Sequence, residues 1–394
     1  MYAGLKGKKR KRAPTPDPPA AGPGPSAFPP DSSSTTTVPL PPTNNSPPAN
    51  PNAHYAPKPR KWQKSSSIVI ESRVIDTRTP IPEWYTAISE KGDHDPGNWS
   101  EVGSIKQLIR YCIDARARGD FSMERISVSN VRDQIHKMEF FPGVTLLAVK
   151  SSRVLEERGL RVIFGGEYDG LFPWDVRADA RALYGKWWKG DVDGDLLTGI
   201  VVRRNTHSSG AVRTSKMLRK GYEKRGANEV GDNGLINGQW WPDRRCLWRD
   251  GAHGSLEAGI HGETDKGAYA IVVSSNYYAD QDSGEILEYC GTESQTAIPT
   301  RYTKMMQEAF ALQQPIRVIR AAKKGSDYAP KMGYRYDGLY IITSEEVLDA
   351  ERYMTRFTLK RKEGQDPIRY QGVEARPTKY EMHEHMKIKE LLQG

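Results

Sequence analysis

The chain has 394 residues, of which only 37% are hydrophobic, so part of it is expected to lie outside any core. The formal charge of +9 is concentrated near the N-terminus, where residues 1–65 carry ten Lys or Arg and two acids. The remainder holds 48 basic and 47 acidic residues, which excludes an argument for nucleic-acid binding from overall charge alone.

The cysteines and the hydropathy pattern exclude further classes of protein. Cys112, Cys246 and Cys290 lie far apart, which excludes a disulfide framework and a clustered zinc module, and indicates a reducing compartment. No apolar run approaches the length of about 18 residues that a membrane span needs, and no apolar segment follows the basic N-terminus. We therefore expect a soluble, intracellular protein with no membrane partner, no metal site and no cofactor.

Residues 1–65 are rich in proline and are predicted to be disordered, because they cannot bury enough apolar surface to offset their chain entropy. A dense cationic run within them predicts nuclear import, with a solubilising tail as the alternative; it comprises Lys8, Lys9, Arg10, Lys11 and Arg12. Residues 66–98 contain short apolar pieces interrupted by prolines and are interpreted as a linker.

Residues 99–190 show four amphipathic stripes and predict a small helical bundle. Ser104 is expected to cap the first helix, which ends near Gly119, and the second helix is expected to begin after Ser129. The third covers about 146–154, and Asp175 is expected to cap the fourth. Charges of both signs are mixed on these helices, so we expect the bundle to bind chromatin-associated proteins rather than DNA.

Residues 191–225 are interpreted as a basic, loop-rich connector that contains Arg203 and Arg204. At its start, Asp191, Asp193 and Asp195 resemble part of a calcium loop, but the matching Glu is absent and a turn is predicted.

Residues 226–375 form the next predicted domain, with short β-branched runs at 268–273, 316–319, 339–342 and 356–360 and one helix at 300–312. A polar helix is predicted within 376–394, so the fold class is α+β. Alternate residues on a helix point about 200° apart, so His383 and His385 cannot share one metal ion, and a solvated helix face is expected.

A series of motifs in the β-rich region occurs in a characteristic order. They are Gly259-Ile260-His261-Gly262, 267–273, 277–284, Glu288-Tyr289-Cys290-Gly291, 315–320, Tyr328-Ala329-Pro330 and 334–340. In order and spacing they resemble the SRA (SET- and RING-associated, or YDG) domain, a family that reads modified cytosine in DNA. The resemblance implies a C-terminal, twisted β-barrel-like domain with a few helices.

The resemblance also implies a pocket for a cytosine flipped out of the duplex. Tyr277 and Tyr289 would stack on the two faces of the base, and Asp280 would accept a hydrogen bond from its exocyclic amine. Uracil and thymine lack that amine. Gly259 and Ile260 would form the wall at the edge of the base. Ser274 and Cys290 would be the small side chains around its 5-position.

Other residues of the region receive different roles. Lys323, Lys324 and His261 are candidates for contact with the DNA backbone, and supporting the loop is the alternative for His261. Asp337 and Gly338 are expected to form a turn. Three further tyrosines are expected in the core: Tyr269, Tyr336 and Tyr340. The short insertion after Gly291, and Glu257 where an apolar wedge would be expected, argue against a preference for hemimethylated sites.

These features together predict a nuclear, non-enzymatic protein that binds double-stranded DNA containing modified cytosine and connects it to chromatin or epigenetic regulation. Two alternatives remain open. One is a modification-dependent nuclease, which a cleavage assay with magnesium would identify, and the other is a chromatin scaffold whose SRA-like fold no longer binds a base.

Overall fold

Helices dominate the first half and strands the second half of the chain that the computed structural model describes, which comprises residues 81–89, 99–206, 212–274 and 280–393. The predicted disordered tail, its import run from Lys8 to Arg12, and most of the predicted linker lie outside these residues. Tyr277 lies outside them as well. In the described parts of the chain, no helix is long and apolar enough to cross a bilayer.

The first six helices share one hydrophobic core, to which α1 contributes Tyr85 and α6 contributes Trp187. Their bounds are α1 Glu83–Ala87, α2 Trp99–Ala117, α3 Phe121–Met138, α4 Leu146–Ser151, α5 Arg161–Phe164 and α6 Trp174–Trp188. Helices were expected in this region, but α1 and α5 were not predicted. Helix α1 belongs to the segment interpreted as a linker, where five residues are too few for a periodic pattern to show.

Three predicted helix starts are wrong. Helix α2 begins at Trp99, and Ser104 lies inside it, donating to the carbonyl oxygen of Glu101 at 2.7 Å. Helix α3 begins at Phe121 because Asp120 caps it, accepting from the amide of Met123 at 3.0 Å. Phe121 is exposed, so an apolar residue lies on the polar face of the helix. The amphipathic pattern therefore did not indicate that the helix begins there.

The start of α6 was also assigned to the wrong residue. Asp175 is inside the first turn of the helix, which Pro173 precedes. Instead of capping, its buried carboxylate binds Arg132 of α3 at 2.6 Å. The acid therefore joins two helices, a role that its position in the sequence does not reveal.

The connector predicted at 191–225 contains an antiparallel hairpin of β1 (Ile200–Thr206) and β2 (Val212–Leu218). The expectation of a loop-rich segment is therefore wrong here. One face of an antiparallel hairpin can stay in contact with solvent, so Arg, Lys and Thr can occupy its strand positions. The predicted turn at the start of the segment is present: the amides of Asp193, Asp195 and Leu197 each donate to the aspartate two residues earlier.

Eight strands form one sheet in the second half of the described chain. Their order is β4-β5-β8-β9-β10-β7-β6, with β3 paired beside β9, and only β5 and β8 run parallel. Their bounds are β3 Trp240–Trp241, β4 Ile260–Glu263, β5 Gly267–Val273, β6 Gln281–Asp282, β7 Ile286–Cys290, β8 Ile316–Ala321, β9 Tyr334–Asp349 and β10 Met354–Arg361. All four strands predicted from β-branched runs are present.

The sheet is covered on both faces. Helix α8 (Arg301–Ala311), predicted at 300–312 and capped by Thr300, packs on one face. Helix α7 (Arg244–Arg249), which was not predicted, packs on the other. Strand β5 is consequently buried at all seven positions, as its continuous apolar run requires.

The expected barrel-like closure is not present in the part of the sheet that the structure describes. The strand order ends at β4 on one side and β6 on the other, and these edges do not pair. Within the described sheet, the edge strand β4 pairs with β5 and the edge strand β6 pairs with β7.

Asp337 and Gly338 do not form a turn, because strand β9 continues through them. A shift in register against β8 marks a β-bulge at this point. Gly338 has φ +103°, and a Cβ there would lie 2.5 Å from Oε1 of Gln365. The side chain of Asp337 is fully buried between Arg320 and Arg335, so the acid is part of the core.

Helix α9 (Lys379–Gln393) confirms the predicted C-terminal helix and packs back on the first half of the chain. Its Tyr380 donates to Asp133 of α3 at 2.9 Å. His383 is exposed, as expected, but His385 is buried against Trp240 with the ring centroids 5.8 Å apart. The expectation of a solvated face is therefore wrong for His385.

Candidate functional site

Tyr289 and Gly259 meet at the pocket that the sequence predicts. Strand β7 places Tyr289 opposite Phe357 of β10, where the tyrosine is 7% exposed. A Cβ added to Gly259 would lie 2.7 Å from the hydroxyl oxygen of Tyr289. Glycine at this position lets the main chain approach the aromatic side chain more closely than any other residue would allow.

Asp280 is held beside the same tyrosine. Its Oδ1 accepts from the amide of Cys290, the residue after Tyr289, at 2.8 Å. One carboxylate oxygen is thereby anchored, and the orientation of the carboxylate is set by strand β7. Burial, together with the nearby Asp280, raises the pKa of the Cys290 thiol to about 12, so this side chain is a small neutral group at pH 7.

The other predicted pocket residues take different positions. Ile260 is 2% exposed, and its side chain, like that of Tyr289, belongs to the hydrophobic cluster between the sheet and α8. Ser274 is exposed directly after β5, at the last residue before the segment 275–279. That segment contains Tyr277, so the face of the pocket that Tyr277 was predicted to form lies outside the described residues. The predicted core tyrosines Tyr269, Tyr336 and Tyr340 are at most 3% exposed.

Two residues that sequence reasoning missed hold the loop in front of Gly259. Arg244 of α7 donates to the carbonyl oxygens of Ser255, at 3.3 Å, and of Ala258. His253 is fully buried, with ring nitrogens 3.0 Å and 3.3 Å from the carbonyl oxygens of Ser255 and Gly259. Burial, with the charge of Arg244, lowers the pKa of His253 to about 3.

A buried charge network holds the segment that follows Asp280. The guanidinium of Arg320 binds Asp282 at 2.7 Å, Asp337 at 2.9 Å and the carbonyl oxygen of Gly284 at 2.9 Å. Tyr340 donates to the same carbonyl at 2.7 Å. The sequence did not indicate the two acidic partners of Arg320. Asp282 of β6, Arg320 of β8 and Asp337 of β9 meet only when the sheet forms.

The candidates for contact with the DNA backbone belong to two elements, the loop after β8 and strand β4. Lys323 and Lys324 are exposed in the loop after β8, and Tyr328 of the same loop lies against Gly284. His261 is 2.8 Å from Oδ1 of Asn228, and burial with the charges of Arg317 and Lys224 lowers its pKa to about 4. At pH 7 a neutral imidazole brings no positive charge to a phosphate, which favours the loop-supporting alternative for His261.

The arrangement is suited to holding a planar polar ring. It combines an aromatic side chain, a carboxylate with one oxygen already bonded, and a main-chain wall without a side chain. In the described residues, no group of three or more His, Cys, Asp or Glu could hold a metal ion.

Comparison with known proteins identifies this part of the chain. The family model of the SAD/SRA domain matches residues 229–365. Residues 229–365 form an SAD/SRA domain. The SRA domain covers the pocket residues, the 253–259 loop and the Arg320 network, and it excludes the six N-terminal helices and the β1–β2 hairpin.

Curated relatives match over the same part of the chain. A UHRF1-like protein of Cryptococcus neoformans is 30% identical over 158 residues, which are 34% of this chain and 46% of that protein. The E3 ubiquitin-protein ligase ORTHRUS 2 of Arabidopsis thaliana is 34% identical over 128 residues, 29% of this chain and 20% of that protein. The chain therefore spans less than half of the length of either relative.

Solved structures also match. The SRA domain of SUVH5 in a methylated CHH DNA complex is 25% identical, with 36% of this chain and 99% of that chain covered and a TM-score of 0.30. A modification-dependent TagI restriction endonuclease is 28% identical, with 35% of this chain and 54% of that chain covered and a TM-score of 0.32.

Proposed function

We propose that the protein binds double-stranded DNA and captures a modified cytosine, flipped out of the duplex, in the pocket of its SRA domain. Two observations carry the proposal: Asp280 is anchored by the amide of Cys290, next to Tyr289, and the hydroxyl of Tyr289 lies against the bare main chain of Gly259. Families with this domain read modified cytosine, and the residues that the resemblance assigns to base capture include these three.

The pocket residues act by replacing what the base loses on leaving the duplex. Tyr289 offers an aromatic face in place of the neighbouring base, a stack worth roughly 1–3 kcal/mol. The carboxylate of Asp280 accepts from the exocyclic amine of cytosine in this proposal, which rejects thymine and uracil. The neutral thiol of Cys290 borders a small hollow for a 5-substituent. Tyr277 supplies the second stacking face in this proposal.

The test is a titration of the full chain against duplexes that differ only at one cytosine, carried as cytosine, 5-methylcytosine or 5-hydroxymethylcytosine. Asp280→Ala should weaken binding of the modified duplex by about 1–3 kcal/mol because the amine loses its acceptor, and Tyr289→Ala by a similar amount. If both variants remain folded and still discriminate between the duplexes as well as the parent does, the pocket does not capture the base.

A matched control comes from the exposed loop after β8. Lys323→Gln with Lys324→Gln should weaken modified and unmodified duplexes by the same factor, because phosphate carries no information about the base. A change in preference from this pair would contradict their assignment to the DNA backbone.

The proposal extends to the whole chain as a nuclear, non-enzymatic reader. The import run from Lys8 to Arg12 would direct it to the nucleus, and the N-terminal helices would bind chromatin-associated proteins. ORTHRUS 2 is named an E3 ubiquitin ligase, but its match is confined to 29% of this chain, so ligase activity does not follow. Incubation of methylated duplex with the protein and magnesium tests the nuclease alternative, for which cleavage would be the positive result.

A further inference from the structure

The β1–β2 hairpin has charge of a single sign. Residues 196–222 contain six Lys or Arg and no Asp or Glu. The basic residues are Arg203, Arg204, Arg213, Lys216, Arg219 and Lys220. The rest of the chain after residue 65 holds 42 basic and 47 acidic residues, so this segment is a local source of positive potential.

The two sides of the hairpin have different surroundings. On one side, Ile200 is buried, Arg204 donates to the carbonyl oxygen of Leu391, and Lys216 forms an ion pair with Asp243. Arg203 lies on the other side, opposite Ser215 in the ladder, and both are exposed. Within the described residues, Arg203, Arg219 and Lys220 form no salt bridge. Their charges are therefore directed to solvent and available to an anionic partner.

The base of the hairpin contacts the helix that supports the predicted pocket. Asp243, the partner of Lys216, is the N-cap of α7. The next residue, Arg244, holds the carbonyl oxygens of Ser255 and Ala258, immediately before Gly259. Just beyond the hairpin, Lys224 lies 4.9 Å from the ring centroid of Trp248, also on α7. The hairpin is thus connected through α7 to the loop that precedes Gly259.

We propose that the β1–β2 hairpin binds the phosphate backbone of the same duplex whose base enters the SRA pocket. The site lies outside residues 229–365, and the choice of DNA as its ligand rests on the function proposed above. Cations at phosphates release condensed counterions and add affinity without sequence information. A two-stranded ribbon is also narrow enough to follow a duplex groove. The hairpin would add affinity, and the pocket would supply the preference for modified cytosine.

The test compares two triple variants of the full chain that remove equal charge. Arg203→Gln, Arg219→Gln and Lys220→Gln remove the exposed hairpin cations. Arg110→Gln, Arg118→Gln and Arg125→Gln remove three exposed cations from α2, α3 and the turn between them, none of which forms a salt bridge within the described residues. Fluorescence anisotropy measures the affinity for matched duplexes with cytosine or 5-methylcytosine at salt concentrations from about 50 to about 200 mM, the range over which phosphate binding weakens strongly. Circular dichroism confirms folding.

The hairpin variant should bind both duplexes more weakly by the same factor. Its plot of log affinity against log salt should be shallower by about 2.7, which is roughly 0.9 for each of the three phosphates that the variant no longer neutralises. Between about 50 and 200 mM salt the parent should therefore lose about 40-fold more affinity than the hairpin variant does. The α2–α3 variant should keep the slope of the parent.

Three results would overturn the proposal. Equal flattening in both variants would mean that only total charge matters. An unchanged slope in the hairpin variant would mean that the hairpin binds something other than DNA, such as an acidic protein surface. A lost preference for 5-methylcytosine at unchanged affinity for cytosine would mean that the hairpin acts on the pocket through α7. If the parent binds both duplexes equally, the proposed function fails, while the slope on unmodified DNA still decides the role of the hairpin.

Discussion

Gly259 leaves no room for an added carbon beside Tyr289, at the proposed base-binding pocket. Its φ is not in the left-handed region, so alanine is compatible with the backbone, and the conflict is confined to the hydroxyl of Tyr289, 2.7 Å from the added Cβ. Real Cβ atoms do not approach a neighbouring atom this closely, so the buried tyrosine has to move.

Gly259→Ala should therefore reduce the preference for modified over unmodified duplex with little loss of general DNA affinity. Removing the clashing oxygen should restore part of the preference, so Gly259→Ala combined with Tyr289→Phe should bind modified DNA better than Gly259→Ala alone. A double-mutant cycle measured by titration gives this coupling. Gly226→Ala is the matched control, because a Cβ there has no atom within 4 Å. Additive effects of the two substitutions would contradict the contact.

At the scale of elements, the loop between α7 and β4 depends on two neutral imidazoles. The rings of His253 and His261 are 5.5 Å apart, and their pKa values are lowered to about 3 and about 4, chiefly by burial. In the unfolded chain both would titrate near a pKa of about 6.5. Between those limits the unfolded state binds more protons than the folded state.

The free energy of unfolding should consequently decrease as the pH falls from about 6.5 toward 4, because protonation is available mainly to the unfolded chain. For His253 the loss between pH 7 and pH 5 should be on the order of 2 kcal/mol. Urea denaturation at the two pH values measures it. His253→Gln should be less stable than the parent at pH 7 but should show a smaller difference between pH 7 and pH 5. A difference between pH 7 and pH 5 in His253→Gln as large as that of the parent would contradict the assignment.

At the scale of the whole molecule, a buried ion cluster joins the N-terminal helices to the chain beyond the SRA domain. Asp179 of α6 is 2% exposed and binds Arg369 at 2.5 Å, Arg376 at 2.8 Å and His136 at 2.7 Å. Burial alone would raise the pKa of Asp179, but the charges of Arg369 and Arg376 outweigh it and hold the pKa well below its usual value. The described helices and the sheet fall within one compact unit.

Asp179→Asn should lower the free energy of unfolding by about 3–5 kcal/mol, because it leaves the buried guanidinium of Arg369 without a carboxylate partner in the described residues, while Arg376 keeps Glu381 and Glu139. Since the cluster joins the two halves, tryptophan fluorescence and far-UV circular dichroism should shift together in a denaturant titration. The control is Asp169→Asn, which breaks an exposed pair with Arg177 and should cost less than about 1 kcal/mol. Similar costs for the two variants, or a shift in only one signal, would argue against a cluster that couples the halves.

The sequence alone determined the class of the C-terminal domain and the identity of its central residues. Short β-branched runs predicted β5, β8, β9 and β10, and the run in β5 is continuous because that strand is buried at all seven positions. The ordered motifs around Gly259, Asp280 and Tyr289 indicated an SRA domain, which the family model then matched. These features are local in sequence, so they can be read without a structure.

Only the tertiary structure decided which side chains meet. Arg244, His253 and Arg320 hold the loops around the pocket, yet each binds atoms that the fold brings in from another element or another part of its loop. The basic connector proved to contain a hairpin on α7, and Asp337 proved to be a buried ionic partner instead of a turn residue. Hydrogen bonds and ion pairs between distant segments produce no periodic pattern of residue types in the sequence. A pattern therefore identifies an element and its buried face, but the partners of polar groups follow only from packing.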